Sequence, residues 1–234
     1  MGFNLERVLK DLIKERTIFA SEADFQLALA WKIKEAYSDV EVRCEYPIKL
    51  EEGYIHLDIM VFKGNGWIPI ELKYKTTTLN YADKCSIVKE DGVEYCLKNQ
   101  GAKDLGCYDY RKDIYRIENI RGKRIGGKSF LKGYTVFLTN DSSYLKPPRI
   151  INGLKPFYYS FSIHGFDEEK NPVDNYITEE ADWLRGAGEG TKKGRDKVIT
   201  LSRDYKCEWK TNDSLKIRDK DIFKYLLHEI KKID

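Results

Sequence analysis

Two amphipathic helices are predicted at the start of the chain. Apolar residues recur at helical spacing from Leu5 to Lys14. A second helix is expected to begin after Ser21, whose hydroxyl can cap it while Asp24 supplies the acidic member of a capping box. Spacings of three and four residues predict that the core-facing stripe of this second helix consists of Phe25, Leu29, Ile33, Ala36 and Tyr37.

Extended segments dominate the next part of the chain. Strand patterns cover Val40 to Leu50, Ile55 to Phe62 and Trp67 to Lys75. The stretch from Lys98 to Ile120 is mostly polar with one apolar face, and we expect one helix or a broken pair there. Gly133 to Asn140 is a short β-rich run of the kind found inside a sheet.

The last third of the chain is less regular. Glycines and mixed charges fill the segment from Gly165 to Asp196, which we interpret as an insertion or mobile loop. Two strands are predicted after it, at Val198 to Ser202 and at Tyr205 to Lys210. A closing amphipathic helix is predicted from the spacing of Ile222, Phe223, Leu226, Leu227 and Ile230.

This order of elements predicts an α/β fold with a central mixed β-sheet of four or five strands flanked by helices. A chain of 234 residues can bury one large core, so we expect a single domain over residues 1–234. A C-terminal elaboration is expected over about residues 157–234, with the insertion at 165–196.

Acidic and basic side chains share one face of a predicted hairpin. Strand alternation puts Glu71 and Lys73 on the same face of the second strand, and Asp58 lies on the first. The turn Gly64-Asn65-Gly66 joins them. A Gly64-Asn65 turn would set Asp58 opposite Glu71, an Asn65-Gly66 turn would set it opposite Lys73, and a three-residue loop would separate the group.

Two carboxylates facing each other across a hairpin repel, so Asp58 and Glu71 need a compensating charge. A divalent cation is the natural compensator, because oxygen ligands on a half-open site suit Mg²⁺ or Mn²⁺. Lys73 lies about 7 Å further along the strand, where it could touch a substrate phosphate or an attacking water. Glu22 falls within about 20° of the core stripe of its helix and could reach the sheet. The alternative is a solvated hairpin face that carries cross-strand ion pairs.

The pattern of Glu22 on an early helix, then Asp58, then Glu71-Leu72-Lys73 on a hairpin, resembles the PD-(D/E)XK nuclease superfamily. The resemblance covers roughly residues 20 to 140, and it looks like a bacterial branch of the superfamily. It implies a restriction endonuclease-like fold, with the domain core over about residues 20–140. It also implies that Asp58, Glu71 and the Leu72 carbonyl bind the metal, that Lys73 is the catalytic lysine and that Glu22 is an accessory acid.

Two further positions complete the expected site. Gln100, at or near the start of the helix after the hairpin, is similar to a glutamine that several families of the superfamily place beside the site. His56 shares the predicted face of Asp58 and could contact substrate, although a lone histidine on a strand is more often structural. His56-Leu57 stand before Asp58 where the motif of the family has proline.

The resemblance implies a divalent-metal-dependent endodeoxyribonuclease that hydrolyses phosphodiester bonds, with Mg²⁺ or Mn²⁺ as cofactor and DNA as the expected substrate, in restriction, defence or repair. The runner-up is a nuclease-fold protein that binds nucleic acid or a partner without cutting. Either protein could act as a homodimer or within a larger complex. A small-molecule hydrolase or transferase is a third class, against which stands the lack of a phosphate-cradling glycine loop.

Composition limits the choice of partners and compartment. Lysine and arginine number 41 against 38 acids, for a net charge of +3, so nucleic-acid binding must come from the arrangement of charge. Five cysteines without a CxxC spacing and three histidines argue against structural zinc and disulfides, which predicts reduced thiols in a cytoplasm. The N-terminal residues do not form an apolar signal region, and no membrane partner is expected.

Two basic, glycine-containing loops are the predicted contacts with nucleic acid. Arg121, Lys123, Arg124 and Lys128 lie in the first, and the second contains Lys192, Lys193 and Arg195. Cations spaced by glycines let the backbone approach phosphates, although such a charge run is usually only a solvated face.

Overall fold

The structure is a computed structural model that describes residues 2–50, 53–80, 83–90, 92–195, 198–216 and 222–232. The chain divides into two compact units. The first unit comprises Met1–Gln100, Ile120–Asn140 and Lys210–Asp234, and the second comprises Gly101–Asn119 and Asp141–Trp209. The single domain expected over residues 1–234 stays a prediction.

Two helices come first along the described residues, and strands outnumber helices after them. The α-helices are α1 (Leu5–Glu15), α2 (Glu22–Ala36), α3 (Lys103–Ile120) and α4 (Glu189–Lys192). The strands are β1 (Val40–Leu50), β2 (Gly53–Lys63), β3 (Gly66–Lys75), β4 (Ser86–Glu90), β5 (Val93–Leu97), β6 (Arg124–Ile125), β7 (Lys128–Phe130), β8 (Lys132–Thr139), β9 (Tyr176–Ile177), β10 (Glu180–Asp182), β11 (Val198–Thr200), β12 (Tyr205–Lys206), β13 (Lys210–Lys216) and β14 (Ile222–Lys231). Two short 3₁₀-helices span Ser142–Leu145 and Tyr159–Phe161. None of the described helices combines the length and the apolar character needed to cross a membrane.

The first unit is built on an eight-stranded mixed sheet. Six strands lie in the order β1, β2, β3, β8, β14, β13, and β7 pairs with the start of β3 and with β6. All neighbours in the six-strand path are antiparallel except β3 and β8, which are parallel. The predicted α/β class with a central mixed sheet flanked by helices is therefore confirmed. The predicted number of strands in this sheet, four or five, was too low.

The closing helix predicted over residues 222–230 is wrong, because this segment is strand β14. It pairs along β8, with Leu226 beside Phe137 and His228 beside Thr135. Both faces of β14 are buried, at Phe223 and Tyr225 on one side and at Leu226 and His228 on the other. A strand that is covered on both faces has a nearly continuous apolar run, and such a run also matches helical spacing.

The core of the first unit lies between the two N-terminal helices and one face of the sheet. The Ser21 hydroxyl accepts the N–H of Asp24 at 3.1 Å, so the predicted cap of α2 is confirmed. Asp24 does not complete the capping box, because its carboxylate accepts the N–H of Ala20. Of the predicted stripe, Ala36 is exposed and lines a charged surface groove beside Arg7. The buried members are Phe25, Leu29, Ile33 and Tyr37.

A disulfide joins Cys85 and Cys96 in the β4–β5 hairpin. The antiparallel register pairs Ile87 with Cys96 and leaves the two cysteine Cα atoms 5.5 Å apart, which is within bonding reach. The prediction that all five thiols are reduced is therefore wrong for this pair. The free cysteines are Cys44, Cys107 and Cys207.

The second unit contains α3, α4 and two small antiparallel sheets, β9 with β12 and β10 with β11. The stretch from Lys98 to Ile120 contains one helix, α3, and not a broken pair. This helix begins at Lys103. The predicted strand from Tyr205 to Lys210 is divided, because β12 ends at Lys206 and β13 starts at Lys210. The predicted loop from Gly165 contains β9, β10 and α4, and its predicted end, Asp196, lies outside the described residues.

Buried charges tie α3 to the small sheets of the second unit. The Arg111 guanidinium is fully buried and donates to the carbonyl oxygens of Glu179 and Ile199, at 2.8 and 2.7 Å. The Glu118 carboxylate accepts the Ser202 N–H at 2.8 Å and the Tyr205 hydroxyl at 2.7 Å. Burying charged groups is costly unless they are hydrogen-bonded, so these contacts fix the register of α3 against the sheets.

Candidate active site at a fork in the central sheet

Strands β2 and β3 separate at the position of Asp58, and we call this place the fork. Their pairing runs from Lys63 beside Gly66 to Ile59 beside Ile70. Gly64 and Asn65 are therefore the two turn residues, and Gly64 has the positive φ of 53° that such a turn needs. This is the first of the two predicted registers, and it sets Asp58 opposite Glu71.

Beyond the fork, β2 and β3 no longer pair with each other. Side chains accept the backbone N–H groups that the partner strand would have bound. Asp58 Oδ2 accepts the backbone N–H of Leu72 at 2.5 Å, and Glu71 Oε2 accepts the backbone N–H of Asp58 at 3.4 Å. Glu22, the first residue of α2, accepts the N–H of Tyr74 through Oε2 at 2.8 Å. These acceptors satisfy backbone donors that would otherwise be left without strand partners, and they gather three carboxylates along one edge of β3.

Lys73 lies at the same edge. Its Nζ donates to the Leu72 carbonyl oxygen at 3.0 Å, and its side chain is partly exposed. Leu72 therefore has its N–H bound by Asp58 and its carbonyl bound by Lys73. The structure brings together Asp58, Glu71, Leu72, Lys73 and Glu22 as the sequence predicts.

Burial governs the charge of Asp58. It raises the pKa of the Asp58 carboxyl above its ordinary value, and the positive charge of Lys73 and the Leu72 N–H offset this effect only in part. The carboxylate of Glu45 raises the same pKa further. Glu71 is 2% exposed, so a second acid is held out of water beside Asp58. A cation at this position would relieve the cost of both charges.

Gln26 belongs to the fork but was not among the predicted site residues. It lies one turn after Glu22 on α2 and is only 9% exposed. Its Nε2 donates to the carbonyl oxygen of Asp58 at 2.6 Å and to Glu45 Oε1 at 2.8 Å. The available signal was a polar side chain four residues after Glu22, next to the buried stripe that begins at Phe25.

Glu45 also lies beside the fork, on β1, the edge strand of the sheet. It occupies the β1 position opposite Asp58, between the pairs Cys44 with Ile59 and Tyr46 with Leu57. Its φ of 51° lies in the left-handed region, which non-glycine residues rarely adopt. Unusual backbone at such a position is often held in place by surrounding contacts, here by the bond from Gln26.

The row of polar side chains that begins with Asp58 and Glu71 continues on the other side of Glu71, across β8 and β14. Thr135 of β8 lies beside Glu71, and His228 of β14 lies beside Thr135. Both side chains are buried. His228 could not be placed in this row from the sequence, because the segment around it was predicted to be a helix.

The two accessory residues lie at the margins of the fork. His56 is exposed and pairs with Pro47 of β1, two residues before Asp58. Gln100 is exposed and precedes α3 by three residues, so it is not part of that helix. Its backbone N–H donates to the Thr76 carbonyl at 3.0 Å, which places Gln100 just past the end of β3. The roles of both residues stay predictions.

The first basic loop forms part of a cleft in the first unit. Lys123 and Arg124 are exposed and line a cleft of about 350 Å³ with Tyr46–Lys49 of β1. This stretch of β1 includes the partner of His56, so the cleft adjoins the strand that carries Asp58.

The other predicted basic residues have different surroundings. Lys128 donates to the Gly64 carbonyl at the hairpin turn, and Arg121 is half-buried. The second basic loop lies in the second unit, at and after α4, where Arg195 donates to the Thr191 carbonyl at 3.0 Å. The remaining cations of that loop are Lys192 and Lys193.

The donor atoms at the fork fit a hard divalent cation. Within the described ranges, no group of three or more His, Cys, Asp or Glu side chains is arranged to hold a metal ion. The fork offers two carboxylates, from Asp58 and Glu71, and the backbone carbonyl of Leu72. Mg²⁺ and Mn²⁺ accept one or two carboxylates plus other oxygens and keep several waters, so this set is chemically suitable.

Comparisons with protein-family models, with curated proteins and with solved structures give no match to this chain. The function must therefore be inferred from the site itself.

Proposed function

We propose that this chain is a divalent-metal-dependent nuclease of the PD-(D/E)XK type that hydrolyses phosphodiester bonds in DNA. The observation that supports it most is the fork, where Asp58 and Lys73 bind the Leu72 backbone and Glu71 accepts the Asp58 N–H. The restriction endonuclease-like fold is part of the proposal. Its support is the run of antiparallel strands β1, β2 and β3 beside a parallel β8, with α2 supplying Glu22 to the sheet.

Asp58, Glu71 and the Leu72 carbonyl would hold Mg²⁺ or Mn²⁺. Such an ion, when bound, lowers the pKa of a coordinated water and offsets charge on the phosphate. The protein residues hold this donor set in place: Gln26 fixes the Asp58 peptide, and Glu22 fixes the backbone one residue beyond Lys73. Prior positioning of this kind avoids reorganisation during the reaction.

Lys73 has a separate role in the proposed reaction. Its ammonium lies beside the Leu72 carbonyl, so it can donate a hydrogen bond to the attacking water or to a non-bridging phosphate oxygen. Hydrolysis forms a bond from the water oxygen to phosphorus and breaks one phosphorus–oxygen ester bond. Of the two hydrogens of the water, one ends on the leaving hydroxyl and the other is released or retained on the phosphate.

The basic cleft supports nucleic acid as the substrate class. Lys123, Arg124 and Lys49 line it next to Tyr46, and the β1 strand that forms one wall is paired with the strand of Asp58. Cations in such a cleft can bind the phosphate backbone without reading the bases.

The proposal is tested by cleavage of plasmid and single-stranded DNA in Mg²⁺ or Mn²⁺. Glu71→Gln and Lys73→Ala should each lower the rate by about 100-fold or more, because the first weakens the proposed metal site and the second removes the donor to the water or the phosphate. Lys89→Ala is the matched control, since Lys89 is an exposed lysine of the β4–β5 hairpin. Equal cleavage by wild type, Glu71→Gln and Lys73→Ala would exclude the fork as the active site. Salt-sensitive binding of DNA without any turnover would instead favour a non-cleaving nuclease-fold protein.

A further inference from the structure

The second unit has a larger cleft of its own, with a volume of about 760 Å³. It lies between the start of α3, the segment 146–150 and the pair Tyr158 and Tyr159. The lining residues are Lys103, Ser143, Lys146, Pro147, Pro148, Arg149, Ile150, Tyr158, Tyr159 and Glu168. None of these residues is part of the fork or of the two basic loops.

Positive charge predominates in this cleft. Three cations line it, Lys103, Lys146 and Arg149, against one acid, Glu168. Among the described residues, neither Lys146 nor Arg149 forms an ion pair, and Arg149 is exposed. An anionic group entering the cleft would therefore meet cations that are not already neutralised by a bound carboxylate.

Lys103 is a half-buried cation of the cleft. It is the first residue of α3, and burial lowers the pKa of its ammonium below the ordinary value. A cation that has lost part of its hydration gains more from an added anion than a fully solvated cation does. Its Nζ also lies 6.0 Å from the centre of the Tyr158 ring.

Two adjacent tyrosines supply flat apolar surface beside these charges. Tyr158 and Tyr159 are both partly exposed, and the Tyr159 ring has Lys155 Nζ at 4.4 Å from its centre. Pro147 and Pro148 also line the cleft and give this part of it a restricted backbone. A groove with cations along it and aromatic rings next to them is the arrangement that binds single-stranded nucleic acid, since bases stack on the rings and phosphates contact the cations.

We infer that this cleft of the second unit binds a segment of single-stranded nucleic acid, with phosphates on Lys103, Lys146 and Arg149 and bases stacked on Tyr158 and Tyr159. The volume is in the range of small-ligand pockets, which matches one or two nucleotides of a single strand. The inference goes beyond the proposed function and does not depend on it, because it concerns binding in the second unit and requires no metal.

The test is fluorescence anisotropy of the full chain with a labelled oligothymidine of about 12 nucleotides, in EDTA. The double variant Lys146→Ala/Arg149→Ala should bind about tenfold or more weakly and with a smaller dependence on salt. Tyr159→Ala should also weaken binding about tenfold, whereas Tyr159→Phe should bind like wild type because it keeps the ring. Lys206→Ala is the matched control, since Lys206 is a second-unit cation already paired with Asp174 and Glu208.

Several results would overturn the inference. One is a Lys146→Ala/Arg149→Ala protein that binds like Lys206→Ala. Another is a Tyr159→Ala protein that binds like Tyr159→Phe, which would reduce the cleft to a charged patch. Equal competition by a duplex of the same length would count against a single strand. Thermal unfolding of each variant identifies any that fail to fold. Cleavage by wild type, measured separately, distinguishes failure of this inference from failure of the proposed nuclease.

Discussion

At the scale of single residues, the fork is a set of carboxylates that accept backbone N–H groups in place of a strand. Asp58 accepts from Leu72 and Glu22 accepts from Tyr74. Each acid thereby satisfies a donor of β3 and is also held in a fixed position. The cost is that these half-buried charges lose part of their hydration, which a bound cation would offset.

The raised pKa of Asp58 predicts a specific dependence of stability on pH. In the metal-free protein the folded state holds the Asp58 proton more tightly than the unfolded chain does, so stability is lost as the pH rises from the unfolded pKa through the folded pKa. Asp58→Asn removes the half-buried charge and keeps an oxygen for the Leu72 N–H. In EDTA at neutral pH it should raise the melting temperature by about 2–4 °C.

The gain from Asp58→Asn should shrink as the pH falls through the folded pKa of Asp58 toward the unfolded pKa, because wild-type Asp58 then becomes neutral as well. Differential scanning calorimetry at a series of pH values measures this. Asp11→Asn, at an exposed aspartate of α1, is the control and should show no such trend. A melting temperature that Asp58→Asn lowers at neutral pH, or raises equally at all pH values, would contradict the raised pKa.

The residues of the site could be predicted where local rules were sufficient. The Gly64-Asn65 turn sets the register of the hairpin, and that register alone places Asp58 opposite Glu71. Gln26 was missed because its partners, the Asp58 carbonyl and Glu45, come from other elements. Neither a helix pattern nor a strand pattern contains the information that these groups meet.

At the scale of elements, α2 is the part of the fold that holds the fork open. Its first turn contributes Glu22 to β3, and its second turn contributes Gln26 to β2 and β1. One helix thus bridges three neighbouring strands at the point where two of them separate. Gln26 is in this view a positioning residue, which acts through Asp58.

Gln26→Ala tests this role of α2. The change leaves Asp58, Glu71 and Lys73 in place but removes the bond to the Asp58 carbonyl, so we expect kcat to fall about 10- to 100-fold. The Mg²⁺ concentration for half-maximal rate should rise as well, which a merely structural contact would not cause. Leu27→Ala, at the exposed neighbouring position of the same helix, should change neither quantity. If Gln26→Ala behaves as Leu27→Ala does, α2 does not position the site.

An element was easier to predict where only one of its faces is buried than where both faces are buried. The N-terminal helices follow from periodicity because water covers one side of each, whereas β3 is buried on both faces and was located by the turn signal Gly64-Asn65-Gly66 before it. Strand β14 did not follow from periodicity, since Leu226 and His228 are as buried as Phe223 and Tyr225. A strand is recognised by alternating apolar and polar residues. Burial of both faces in the tertiary structure removes this alternation, and the sequence alone does not show that burial.

At the scale of the whole molecule, the 41 basic and 38 acidic residues are unevenly distributed. Acids gather at the fork, while cations line a cleft in each of the two units. A net charge of +3 is therefore compatible with contact to nucleic acid at local surfaces, without the overall basic charge of a coating protein.

The central claim is that Asp58 and Glu71 hold a divalent cation with the Leu72 carbonyl. Anomalous scattering from crystals soaked in Mn²⁺ tests it most directly, without any substrate. We predict a manganese peak in contact with both carboxylates in the wild type and in Glu94→Gln, a control at a surface acid of β5, and no peak in Glu71→Gln. Wild-type crystals with both carboxylates ordered and no manganese between them would contradict the account.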